Sequence, residues 1–355
     1  MKKFIALLLS VLMIVSVFAG CAAPAETPAA APAPAEGAAE APAELPSYTI
    51  KFAHVAADGS ATAVAAENFK AKIEEKSGGR IKVDVYGNST LGAERELVEM
   101  VQAGSLEMAD FGPCSLGNVI WPELNVLESP FLFHSTEEAL RAMESEYADQ
   151  LVKDIYDNTN CYIIGWNYRG ARHLFTSEPC YTPDDIKGMK IRVPTVDVYV
   201  DTFNALGCNV TPIAYNELYS SLQTGVVEGF EGAYDMTYAM GFQEVTKYCN
   251  PIGWINYFGP IVIAKDFYES LSAEDQALFE EVMDEVSAEN TQFFQDSEAD
   301  YIEKFKAAGV EIYEPDVEQW AAVFTDEVIA DMAYCWGSEG STEVYRAWQA
   351  AGRGE

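Results

Sequence analysis

Histidine is the scarcest chemistry-bearing residue in this 355-residue chain: His54, His134 and His173 are the only three, and they stand far apart. No H-E-x-x-H pair and no G-x-S-x-G turn occurs, so a zinc hydrolase or a serine-nucleophile elbow has no residues to build on. No calcium-loop spacing is present either. Basic residues are few, 22 Lys plus Arg against 56 Asp plus Glu, a formal net charge of −34. A surface that acidic repels nucleic acid and anionic membranes. It also repels small anions, so an anion site here needs strong compensation from a few basic groups. With eight arginines in the whole chain, each one in a strand or cleft is informative. The seven cysteines contain no C-x-x-C spacing, which argues against a zinc or thioredoxin-like site. Six of them, Cys114, Cys161, Cys180, Cys208, Cys249 and Cys335, read as buried small hydrophobes, and any disulfide connectivity is unreadable from sequence.

No apolar run reaches the roughly 20 residues that span a bilayer as a helix. What the N-terminus does have is Lys2 and Lys3, an apolar run from Phe4 to Phe18, and then Ala19-Gly20-Cys21. That layout reads as a secretory leader over residues 1–20. Ala-Gly-Cys after an apolar segment resembles a bacterial lipobox, which implies lipid attachment at Cys21; the alternative is a plain leader with a free thiol. Ala22 to Pro46 contains 12 Ala, 6 Pro and 4 Glu and nothing aromatic or basic. Such a stretch cannot form a core, so residues 21–46 are a tether of Ala/Pro/Glu.

The remaining stretch, from Ser47, exceeds what one core usually organises, and two lobes are expected. Tyr48 to Phe52 alternates as a half-buried strand, Ser60 to Lys76 carries Ala66, Phe69 and Ile73 at helical spacing, and Ile81 to Val85 alternates again. Helices are expected over Glu94 to Ala103 and Thr136 to Asp157, with strands over Leu106 to Phe111 and Tyr162 to Trp166. A second series runs through Met189 to Val193, Val196 to Leu206, Asn209 to Ile213 and Glu217 to Thr224, followed by a strand over Ile255 to Ala264. This alternation predicts an α/β fold, open sheets with helices on both faces, and a ligand crevice between two lobes. Ser272 to Ala308 has capping-box spacing, Leu278, Val282 and Val286 four apart, and no Gly or Pro before Gly309. It predicts one very long helix, with a kinked pair as the alternative.

Three segments in order carry a family likeness: Gly170-Ala171-Arg172, then Asp185-Ile186-Lys187-Gly188-Met189-Lys190-Ile191-Arg192-Val193-Pro194, then Leu222-Gln223-Thr224-Gly225-Val226-Val227-Glu228-Gly229 leading to Glu231. Across Tyr48 to Ala351 the chain resembles the substrate-binding subunits of tripartite ATP-independent periplasmic (TRAP) transporters, the DctP-like solute receptors. The resemblance implies a two-lobed periplasmic-binding-protein-like fold with a long helix spanning both lobes. Lobe I would be 47–169 plus 258–297, and lobe II 170–257 plus 298–355. It also implies an extracytoplasmic receptor that closes on a small organic carboxylate and docks on the small and large membrane subunits of an ion-driven transporter, with no cofactor and no catalysis.

In such receptors the arginine of the Lys-x-Arg-Val-Pro strand pairs with the ligand carboxylate, which implies Arg192. Arginine suits that role because its planar fork meets a carboxylate with two parallel hydrogen bonds and stays charged in a dry cleft. Arg172 resembles the family's second basic contact, against a hinge ion pair, and Arg169 is the substitute for it. Tyr215 sits where the family often has an aromatic packed on the ligand, and Glu231 would orient Arg192 or accept from a ligand hydroxyl or amine. His54, Trp166, Tyr168 and Tyr234, with Trp254 and Tyr257, are further cleft candidates for which core packing is an equal explanation. Many relatives carry Asn-Pro after the glutamate where this chain has Gly232-Ala233-Tyr234, and Thr195 follows Pro194 where acidic-sugar receptors often have asparagine. A more apolar or aromatic acid than a sialic acid is therefore expected. Two readings from other classes stay open on the residues alone: the receptor of an ATP-driven importer, and an extracellular hydrolase using one of the carboxylate pairs that 56 acidic residues make available by chance.

Overall fold

The computed structural model describes residues 45–355. The expected leader, Cys21 and the tether up to Glu44 lie outside the described residues.

The body is built on one nine-stranded mixed sheet in the order β2-β1-β3-β8-β4-β7-β5-β6, with β9 added against β8. At one end, β1 (Tyr48–His54) pairs in parallel with β2 (Ile81–Tyr86) and with β3 (Met108–Asp110). α1 (Ala61–Lys76) and α2 (Glu94–Gln102) connect them. α1 starts where the Ser60 hydroxyl accepts from the Ala63 N–H, and it buries Ala65, Ala66, Phe69 and Ile73 against the sheet and a later helix. A short turn, α3 (Pro113–Gly117), leads to α4 (Thr136–Met143) and α5 (Glu146–Asn158). The single helix expected over Thr136 to Asp157 is thus two helices. Ser145 divides them by capping α5, its hydroxyl accepting from Ala148 N–H at 3.2 Å, and that non-helical cap ends α4.

At the other end lie β5 (Lys190–Val193), α6 (Asp197–Ala205), β6 (Asn209–Pro212), α7 (Leu218–Gln223), β7 (Gly229–Ala233) and α8 (Tyr234–Ala239). Two long antiparallel strands run through the middle and join the ends: β4 (Cys161–Thr176) and β8 (Tyr248–Ala264), 16 and 17 residues. Each is far longer than the sequence pattern predicts. Their register is broken between Ile163 and Gly165, Tyr168 and Ala171, and Arg172 and Leu174, so the period-two alternation that marks a strand is lost at each bulge.

After α9 (Lys265–Ser270) comes α10 (Ala273–Ala307), a single helix of 35 residues, about 52 Å long. Ser272 caps it, accepting from Asp275 N–H at 3.1 Å. α10 lies along β4, and glycines on that strand permit the approach: a Cβ at Gly165 would stand 2.5 Å from Met283 Cγ, and one at Gly170 3.1 Å from Phe294 Cδ1. Gly170 also has φ +77°, a conformation few other residues adopt. Lys72 and Lys76 of α1 pair with Glu281, Glu285 and Glu289 of α10 at 2.6–3.0 Å. The chain ends with β9 (Glu311–Ile312), α11 (Val317–Ala321), α12 (Asp326–Met332) and α13 (Glu343–Arg353). α13 returns to α4, where Arg141 Nη1 donates to Gly352 O at 2.6 Å and the Tyr345 hydroxyl to Pro130 O at 2.9 Å. Among the described residues no helix is long and apolar enough to cross a membrane.

Candidate functional site

A cleft of about 680 Å³ opens between the two ends of the sheet, and four arginines line it: Arg95, exposed at its edge and paired with Glu99, and the buried Arg169, Arg172 and Arg192, of which the first two are held by carboxylates and the third is not. Arg169 and Arg172 come from β4. Residues three apart on a regular strand face opposite sides, but the bulge between Tyr168 and Ala171 adds one residue and turns both guanidinium groups to the same side. Arg192 comes from β5.

Arg169 ion-pairs with Asp110, donates to the Tyr257 hydroxyl at 3.4 Å, and stands 3.9 Å from Glu94. Burial opposes its charge, yet Asp110, Tyr257 and Glu94 together hold it above its ordinary pKa. Arg172 makes a two-pronged pair with Glu231, its Nη2 donating to Oε1 at 2.9 Å and its Nε to Oε2. Glu231 has no exposed surface, and it outweighs the burial of Arg172 and holds that guanidinium well above the usual range. The ring centroids of Tyr257 and Tyr199 lie 5.1 and 5.6 Å from the Arg172 Cζ, a cation–π arrangement with both.

Arg192 differs. It is 2 % exposed, and its Nε donates to Ile213 O at 2.8 Å, but no carboxylate pairs with it among the described residues. Its Cζ lies 5.5 Å from the Tyr215 ring. Desolvation pulls its pKa down, Glu231 partly restores it, and Arg172 depresses it again. Two neighbouring cations therefore share one carboxylate, and that carboxylate is committed to Arg172. A buried, unpaired guanidinium costs several kcal/mol, so the cleft wall at Arg192 carries positive charge that no side chain there balances.

The structure brings Arg192, Arg172, Arg169 and Tyr215 to one cleft and sets Glu231 behind Arg172 rather than beside Arg192. Tyr234 and Tyr168 line a smaller cavity under α10, on the side of β4 away from the arginines. There Tyr234 packs tilted against His173, ring centroids 4.4 Å apart, and Tyr168 packs on Phe258 and Phe294 while its hydroxyl meets Thr136 Oγ1 at 2.8 Å. Trp166 packs partly buried against the core, and neither it nor His54 lines the cleft. His54 closes β1, 2 % exposed, against Gly87. Burial lowers its pKa, with Asp110 opposing.

Several cleft residues escape the sequence reading: Asp110 and Glu94, which face Arg169, and Glu128 and Tyr199. Glu128 accepts from Cys114 N–H at 2.7 Å and from the Tyr199 hydroxyl, linking the two ends of the sheet, and burial raises its pKa. Its signal is a lone carboxylate inside the apolar run Val126 to Phe133. Tyr199 carries none, because an aromatic at helical spacing in α6 reads as core. No three His, Cys, Asp or Glu side chains converge as a metal site among the described residues.

The model of the family described as bacterial extracellular solute-binding protein, family 7, matches residues 52–333. A solute-binding protein of Chromohalobacter salexigens is 33 % identical over 253 residues, 71 % of this chain and 75 % of that one. The ectoine/5-hydroxyectoine-binding periplasmic protein UehA of Ruegeria pomeroyi is 30 % identical over 79 % of this chain and 80 % of its own. Among solved structures, a TRAP periplasmic solute-binding protein of Roseobacter denitrificans with bound L-galactonate superposes with a TM-score of 0.76. It is 26 % identical, covering 87 % of this chain and 99 % of that one.

Proposed function

The chain belongs to the bacterial extracellular solute-binding proteins of family 7, and on that premise we propose that it is the lipid-anchored receptor of a TRAP transporter, capturing a small organic carboxylate between its lobes. The observation that carries the carboxylate is Arg192, buried at the cleft wall without an acid of its own while Arg172 holds Glu231. The ligand carboxylate takes both free arms of the Arg192 guanidinium, and Arg172, fixed by Glu231 and two tyrosine rings, supplies positive potential beside it. Tyr215 packs over Arg192 and keeps water from competing. The cleft has room to spare for an acid of the size of the L-galactonate held by the Roseobacter relative, as a cleft that closes on its ligand requires.

Closure is a hinge motion of one lobe on the other, with lobe I at 47–169 plus 258–297 and lobe II at 170–257 plus 298–355. The left-handed Gly170 and the bulge around it support the first crossing point. The closed form docks on the small and large membrane subunits, and uptake is driven by an ion gradient. Cys21 carries the lipid and residues 21–46 give the body its reach from the membrane. Capture needs no bond-breaking step, so the protein acts as a receptor rather than a catalyst.

The test is a thermal-shift screen of sugar acids, ectoine-like acids and aromatic monocarboxylates, each beside its neutral amide. A ligand at 100 times its dissociation constant adds about 2.7 kcal/mol to stability. Acids that stabilise while their amides do not are the expected result. Amides as effective as the acids would remove the carboxylate from the account.

A further inference from the structure

The two ends of the sheet also touch at the rim of the cleft, away from the arginines. Asp235, the second residue of α8, is 2 % exposed, and its Oδ2 accepts from the backbone N–H of Ala61 at 3.3 Å. Ala61 opens α1, which belongs to the opposite end of the sheet. The Ser60 cap serves the N–H of Ala63, so the carboxylate takes a helix-end donor that the cap leaves free. α1 has 16 residues, and the partial positive charge at its N-terminus favours an acid there. The other oxygen, Oδ1, is buried with no hydrogen-bond partner among the described residues, so this carboxylate is held by the meeting of the two ends. Thr62 beside Ala61 and Met236 beside Asp235 both line the cleft, which puts the contact at its edge.

We propose that Asp235 is an interlobe latch, a positioning residue that docks α8 on the N-terminus of α1 and sets how long the cleft stays shut. The latch rests on the two-lobed reading and not on which acid is bound.

The groups around it decide how the latch responds to pH. β4 contributes Arg169 and Arg172, which stabilise the carboxylate, and His173, which is neutral. α10 contributes Glu298 and Tyr301 to the adjoining cavity, and Tyr215 lies near enough to feel its charge. α1 offers the Ala61 N–H. Burial outweighs the backbone N–H groups of Met236 and Ala61 and then both arginines, and pushes Asp235 up to about 6 from 3.8. An Asp235 freed by opening returns to that ordinary value, so the closed form binds the proton more tightly than the open one. Acidification therefore favours closure. Between pH 7.5 and pH 5 the closed-to-open ratio rises roughly tenfold, and the gain levels off below the ordinary carboxylate range. Glu128, bridged to Tyr199 across the cleft and also raised by burial, acts in the same direction.

The experiment measures the lobe-to-lobe distance of the unliganded full-length chain in detergent by pulsed electron resonance. Spin labels sit at Lys82→Cys and Lys187→Cys, exposed positions on opposite ends of the sheet, and the chain without the added cysteines serves as blank. The parent gains its short-distance population between pH 7.5 and pH 5. Asp235→Ala loses that population at pH 5 by roughly tenfold, the worth of one hydrogen bond to a buried acid. Asp235→Asn, neutral and isosteric, is more closed than the parent at pH 7.5 and keeps only the share of the pH response that Glu128 supplies, while Glu128→Gln removes that share and leaves the rest. An Asp235→Ala chain as closed as the parent at pH 5 would overturn the latch. An Asp235→Asn chain that follows pH as steeply as the parent would overturn its link to protons. No ligand enters the measurement, so failure of the carboxylate reading leaves its outcome unchanged.

Discussion

At the residue scale the protein contrasts arginines that are neutralised with one that is not. Glu231 has no exposure and exists in the fold to hold Arg172. Glu231→Gln leaves a buried guanidinium without its acid and should cost about 3 kcal/mol of stability, read as a lower urea midpoint at unchanged slope. His173 gives a pH dependence of known sign. Burial and the nearby Arg172 lower its pKa from 6.5 to about 3, so the folded state resists protonating it. Its contribution is therefore complete above 6.5 and is lost as pH falls toward 3. At pH 5 the loss is about 2 kcal/mol, and His173→Gln should remove that part of the stability profile, leaving the opposing gain of about 1.4 kcal/mol from Asp235 exposed. Part of this chemistry was legible beforehand because the family likeness pointed to Arg192 and Arg172, with Arg169 as substitute, and the scarcity of basic residues gave each of them weight; the structure brings all three to one cleft. Glu128 and Tyr199 were not, because their partnership joins the 3₁₀ turn Pro122–Glu128 to α6, residues 71 apart in the chain, and no sequence pattern records it.

At the scale of elements, β4 is where the fold and the site depend on each other. Its bulge places Arg169 and Arg172 on one side, and its glycines let α10 lie close. Gly170→Ala meets both a positive φ and the Phe294 ring and should cost about 1–2 kcal/mol, with the cleft arginines displaced as well. Circular dichroism melts checked against ligand affinity would show whether both fall together. The long helix α10 was readable because its cap, its four-residue apolar spacing and its lack of Gly and Pro all agree. β4 and β8 were read short because bulges, glycines and inward-facing polar residues erase alternation. β7, Gly-Phe-Glu-Gly-Ala, is fully buried yet has no strand-forming pattern, since its place is fixed by Phe175 and Ile191 on neighbouring strands rather than by its own propensity.

At the scale of the whole molecule, a strongly acidic protein presents one cleft in which positive charge is incompletely balanced, and the ends of its sheet meet across that cleft through Tyr199–Glu128 and Ala61–Asp235. The two-lobed α/β architecture was legible from the β/α alternation and from the motifs around Arg172, Arg192 and Glu231. That a single sheet runs through both lobes was not, because strand pairing over such distances is set by tertiary packing. Ligand should reduce the radius of gyration seen by X-ray scattering, as expected for hinge closure, and a protein already compact without ligand would show no change. The most direct test of the central claim is calorimetric titration of the parent and of Arg192→Ala with an acid that stabilises the parent. The account predicts that Arg192→Ala folds normally and binds at least about 100-fold more weakly, the loss of a desolvated two-pronged ion pair. An Arg192→Ala protein that bound the acid as tightly as the parent would contradict it.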